Sequence, residues 1–100
     1  MTHVLRIEHP VPSYEAWKNA FDGDPIGREQ GGVTRYRVLR DVADPGFVQI
    51  DLEFDGHAEA EAFFAKLREL WSRVDVMHDP RGRIVEVTDE HTYGGRAAGA

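Results

Sequence analysis

Apolar and polar residues alternate along four short stretches of the chain, and two longer stretches between them carry apolar residues at helical spacing. In residues 3–9 Leu5 and Ile7 fall on one side and Arg6 and Glu8 on the other, the pattern of a half-buried strand. Residues 33–40 repeat it, with Tyr36 and Val38 against Arg35 and Arg37. Residues 47–54 give the clearest alternation, Val48, Ile50, Leu52 and Phe54 interleaved with Gln49, Asp51 and Glu53. Asp44-Pro45-Gly46 between these two runs predicts a turn and hence an antiparallel hairpin. In residues 83–89 the expected inward set is Val85 and Val87, with Ile84, Glu86 and Thr88 outward.

The first helical stretch opens at Ser13, whose hydroxyl suits an N-cap, and places Tyr14, Trp17 and Phe21 on one face before Asp22-Gly23. The second starts near His57 with Asp55 as expected cap. It carries Ala60, Phe64, Leu67, Trp71 and Val74 on a stripe that extends to about residue 77. A short strand at 74–76 is the alternative there. Asp79-Pro80-Arg81-Gly82 predicts a type I turn. The order β-α-β-β-α-β has a familiar solution. It is the α+β, ferredoxin-like arrangement: a four-stranded antiparallel sheet with two helices on one face. Residues 1–91 form that domain, and residues 92–100 are expected to be a flexible tail.

Leu5, Ile7, Val48, Ile50, Leu52, Val85 and Val87 are expected to face the helices. The uncovered face then carries Arg6, Glu8, Arg35, Arg37, Gln49, Asp51, Glu53 and Glu86. Such a face is either solvated or paired with a second sheet. The length, the element order and the aromatic helices (Tyr14, Trp17, Phe21; Phe63, Phe64, Trp71) resemble the dimeric α/β-barrel superfamily over residues 3 to about 89. That superfamily includes antibiotic biosynthesis monooxygenase-like domains, haem-degrading monooxygenases and muconolactone isomerase-like proteins. The resemblance implies a homodimer whose two sheets pack into a barrel with the helices outside. It also implies a ligand pocket between sheet and helices in each protomer.

Charge and composition narrow the functions. With 12 Lys and Arg against 18 Asp and Glu, the net charge of −6 opposes binding to nucleic acid or to anionic membranes. The absence of cysteine removes disulfides, thiolate metal sites and a Cys nucleophile. No apolar run is long enough for a membrane span and no signal-peptide pattern opens the chain, so a cytoplasmic protein is expected. The glycines of 27–32 match no phosphate-binding loop, and neither serine lies in a nucleophile elbow.

Candidate site residues follow from these placements. Trp17, Tyr36 and Trp71 combine apolar bulk with a polar handle and are expected to wall a pocket. His9 shares the face of Leu5 and Ile7 at the strand end, and His78 continues the stripe of the second helix. Either imidazole suits proton transfer near neutral pH. The bland reading makes the rings core filler and both histidines structural. No two histidines stand at i, i+4 and no His-x-His occurs, so no metal site is expected. No cofactor is expected either; haem, bound through a pocket histidine in part of the superfamily, would have only His78 to hold it. Asp22, Asp24, Arg28 and Glu29 flank the glycine-containing loop 22–32, where they either cap turns or contact something polar. Two functions remain: a cofactor-independent monooxygenase-like or isomerase-like enzyme on a small apolar or aromatic compound, or a non-catalytic dimeric binding or structural module.

Overall fold

The computed structural model describes residues 1–73 and 79–94. Six elements follow in the order β1 (His3–Pro10), α1 (Tyr14–Asp22), β2 (Val33–Arg40), β3 (Phe47–Phe54), α2 (His57–Trp71) and β4 (Arg81–Glu86). The strands form one antiparallel sheet in the order β2-β3-β1-β4. This is the ferredoxin-like arrangement. Among the described residues no helix is long and apolar enough to cross a membrane.

Local chemistry accounts for most of the boundaries. The Ala16 amide donates to Ser13 Oγ at 3.2 Å, which caps α1. After Gly23 the chain reverses at Asp24, whose φ of 50° lies in the left-handed region that Asp tolerates better than most residues. The β2–β3 turn is tied by Asp44, whose carbonyl accepts from the Phe47 amide at 3.0 Å and whose carboxylate accepts from Gly46.

Both helices lie on one face of the sheet, because Trp17 of α1 and Ala60 and Phe63 of α2 enter one core with Leu5, Ile7, Val48, Ile50, Leu52 and Phe54. The two helices approach differently. The α2 backbone lies close to β1, β3 and β4, whereas that of α1 stands farther off the sheet. Gly82 explains part of the difference: a Cβ there would meet the Phe64 ring at 2.9 Å. The missing side chain lets α2 settle directly on β4.

Three expectations need correction. In β4 it is Ile84 that pairs with Leu5 and packs against the core, while Val85 pairs with Val4 on the uncovered face. Ile84 and Val85 are adjacent and both apolar, so alternation alone leaves their faces open; pairing with β1 decides them. Glu86 thereby moves to the helix side, 3.9 Å from His3. The uncovered face instead carries Arg6, Arg35, Arg37, Arg81 and Arg83 against Glu8, Asp51 and Glu53, five arginines to three carboxylates. Second, α2 is capped by the Gly56 backbone without a side-chain bond, and it ends at Trp71 with Ser72 and Arg73 in a turn. Residues 74–78, where the stripe was extended and a strand was the alternative, lie outside the described residues. Third, Arg81 and Gly82 already belong to β4, so they are strand rather than turn.

Leu52 is 2% exposed on a central strand and its neighbour Glu53 points to the opposite face. Leu52→Ala is expected to cost about 2–5 kcal/mol, and Glu53→Ala about 1 kcal/mol or less, since Glu53 pairs only with an exposed arginine. Urea midpoints of the two variants check the register.

Candidate functional site

The space under the raised helix is a cavity of about 350 Å³. Its floor is the helix-facing side of β1 and β3, namely Ile7, His9, Ile50 and Leu52. Trp17 and Phe21 of α1 form one wall, and Phe63, Leu67, Leu70 and Trp71 of α2 the other. The loop after α1 contributes Gly23, Asp24, Pro25, Ile26 and Arg28. The volume lies within the range of small-molecule sites, and the lining is apolar apart from a few polar groups, as such sites usually are.

His9 is the polar group of the floor. Its side chain is 1% exposed, and Nδ1 lies 3.2 Å from the Pro10 carbonyl oxygen. A carbonyl only accepts, so this bond places the proton on Nδ1 and leaves Nε2 as the acceptor. Burial pushes the imidazole pKa below its ordinary value, and the Pro10 bond opposes this only in part. The ring is therefore neutral at neutral pH. The Trp17 indole meets it edge-on at 5.7 Å and stacks on Phe21 at 5.1 Å.

Arg28 is the cation of the lining. Its side chain is 16% exposed, and its guanidinium carbon stands 3.9 Å over the Phe21 ring and 4.9 Å from that of Tyr36. Nη1 donates to the Phe21 carbonyl at 2.8 Å, and Asp24 Oδ1 is 3.5 Å from the same nitrogen. Asp24 also accepts from the Arg28 amide at 2.9 Å, so the loop is closed on itself. At its far end Gly31 lies against α2, where a Cβ would meet Phe63 at 2.6 Å.

The structure thus brings three of the sequence-derived site residues, His9, Trp17 and Trp71, to one cavity. Tyr36 stands outside the lining, 43% exposed, behind Phe21 at 5.2 Å. His78 lies outside the described residues. Sequence reasoning grouped Arg28 with the loop charges and missed its place in the wall; the available signal was Tyr36, a ring on the helix-facing side of β2 that an arginine can cover. Among the described residues no group of three His, Asp or Glu side chains is placed to hold a metal ion.

No family model and no curated protein sequence matches the chain. Solved structures do. A putative antibiotic biosynthesis monooxygenase from Nitrosomonas europaea superposes with a TM-score of 0.65 at 18% identity, over 87% of this chain and 90% of that one. SnoaB, a cofactor-independent oxygenase from Streptomyces nogalater, gives 0.68 at 12% identity, over 89% and 95%. A dimeric ferredoxin-like protein from an uncultured marine organism gives 0.69 at 14% identity, over 90% and 98%. The chain has the ferredoxin-like fold of these proteins. At such identities the likeness is one of fold, and the chemistry must be argued from this chain's own residues.

Because His9 has a folded-state pKa below the ordinary 6.5, the unfolded chain takes up its proton first as the pH falls. The stability contributed by the neutral ring is present above about pH 6.5 and lost as the pH drops through the folded-state value. Asp51, held below the usual carboxylate range first by its bond to Arg6, loses its contribution only below about pH 4. His9→Gln is expected to flatten the decline in denaturant midpoint between about pH 7 and about pH 5 without changing the acid limb below it. Urea titrations of both proteins across that range check the assignment.

Proposed function

We propose that the protein binds a small, planar, mostly apolar compound in the cavity beneath α1 and acts on it by proton abstraction, as a cofactor-independent oxygenase-like or isomerase-like enzyme. The observation that carries this reading is a buried imidazole, oriented by the Pro10 carbonyl, in the floor of an apolar cavity walled by two indoles. Nε2 is the base. It takes a proton from a phenol, an enol or a carbon beside a carbonyl, and the Nδ1–H bond to Pro10 steadies the imidazolium that forms. A buried ring of lowered pKa is available as base at neutral pH but is a weak one, which suits an already acidic proton. The resulting delocalised anion either regains a proton at another carbon, an isomerisation, or reacts with dioxygen. In this reading the chemistry uses no cofactor.

Deuterium exchange at the acidic methylene of 2-tetralone, followed by proton NMR in heavy water, reads this step without a known product. The intact protein is expected to accelerate exchange, and His9→Gln to bind the ketone, by quenching of Trp17 fluorescence, without accelerating it. Binding without acceleration in the intact protein would leave the non-catalytic binding module as the function.

The reading includes a homodimer formed through the uncovered sheet face. Two features support it: Leu39 and Val85 leave apolar surface exposed on that face, and structurally similar proteins are described as dimeric. Light scattering at micromolar concentration should give twice the 11.3 kDa chain mass. A monomer mass would mean that the face is simply solvated.

A further inference from the structure

We propose that the cavity selects a ligand bearing one carboxylate, which Arg28 receives; this rests on the reading of the cavity as a small-molecule site. The arginines of this chain use their hydrogens in two different ways. Arg6 gives Nε and Nη2 to the two oxygens of Asp51, at 2.9 and 3.0 Å, and Arg35 gives the same pair to Glu53. Both are more than half exposed. Arg28 is the reverse case. It is the most covered of these side chains, yet only Nη1 has protein acceptors among the described residues, and Nε and Nη2 donate to none. Desolvating a cation while leaving most of its donors unused is costly. No buried side-chain nitrogen or oxygen among the described residues lacks a partner, so Nε and Nη2 remain open to water or a ligand, and the side chain belongs to the cavity lining.

Asp24 pairs with Arg28 on the Nη1 side, 3.5 Å away, and leaves the Nε–Nη2 edge of the guanidinium without a protein partner among the described residues. The rings of Phe21 and Tyr36 favour the cation without neutralising it, and they restrict where the guanidinium can move. A planar fork whose Nε and Nη2 have no protein acceptor among the described residues can receive a carboxylate through two parallel bonds. The rest of the lining then dictates the rest of the ligand. Ile7, Ile50, Phe63 and the two indoles offer only apolar contact, and about 350 Å³ limits it to a small fused-ring body. The ligand class is an aromatic or alicyclic monocarboxylic acid, with the acid at the loop 23–32 end and an acidic proton toward His9.

The test compares 2-naphthoate with 2-naphthamide, equal in shape and different in charge, by quenching of tryptophan fluorescence. The intact protein is expected to bind the acid about tenfold or more tightly than the amide. Arg28→Gln should erase that preference. Because Arg28 also closes its own loop, Asp24→Asn supplies a variant that acts in the opposite direction. The amide oxygen of Asn keeps the bond to the Arg28 amide while the competing charge is gone, so the acid should bind several-fold more tightly and the neutral amide unchanged. Equal affinity of the intact protein for the two compounds, or an Asp24→Asn variant that weakens both, would overturn the carboxylate assignment and leave the cavity a binding site. Binding of neither compound would overturn both.

Discussion

Trp17 is the buried residue of α1, and its indole stands between that helix and the sheet, 5.7 Å from the His9 ring of β1. The contrast with α2 shows what this does. There Ala60 faces the core and Gly82 removes a side chain from β4, so helix and strand meet closely. A small residue in place of Trp17 would let α1 collapse onto Ile7 and Ile50 and close the space. The indole therefore props the crevice as well as lining it. Its neighbours share the load: Phe21 stacks on Trp17, Tyr36 meets Phe21 edge-on, and the Arg28 guanidinium covers the last two rings. The chain of contacts runs from the sheet through α1 to the loop, so the wall of the cavity and its mouth depend on one set of rings.

The two faces of the sheet use opposite chemistry. The helix side is mostly apolar, and the buried imidazole of His9 has its pKa lowered by desolvation. On the uncovered side Asp51 is as buried as many core residues, yet it is kept charged because Arg6 and Arg37 both reach it. Carboxylate and arginines there satisfy one another within the protomer. On the cavity side Arg28 pairs with Asp24 through Nη1 alone, and its Nε and Nη2 have no protein acceptor among the described residues.

Much of this was legible in the chain. The alternation of β3 fixes its faces without ambiguity, and the parity that puts Leu5 and Ile7 inward puts His9 with them. Ser13 and the Tyr14, Trp17, Phe21 spacing set α1 from its cap to its last residue. The illegible parts share a cause: local pattern was degenerate and tertiary pairing decided. Ile84 and Val85 could each face the core until β1 chose between them. Val4 was unread because an apolar residue beside His3 shows no local reason to be buried; its reason is Val85 across the strand pair. The role of Arg28 needs β2 and α1 brought together, since Phe21 and Tyr36 are fifteen positions apart in the chain.

The central claim is that the space beneath α1 is a ligand site and not an incidental packing gap. Intermolecular NOEs between 2-naphthoate and a methyl-labelled protein test it most directly, because the two faces of the sheet carry distinguishable methyl groups. Contacts from the ring protons to Ile7, Ile26 and Ile50, with none to Val4 or Val85, are the expected result. Contacts to Val4 and Val85 alone would place the ligand on the uncovered face and contradict it.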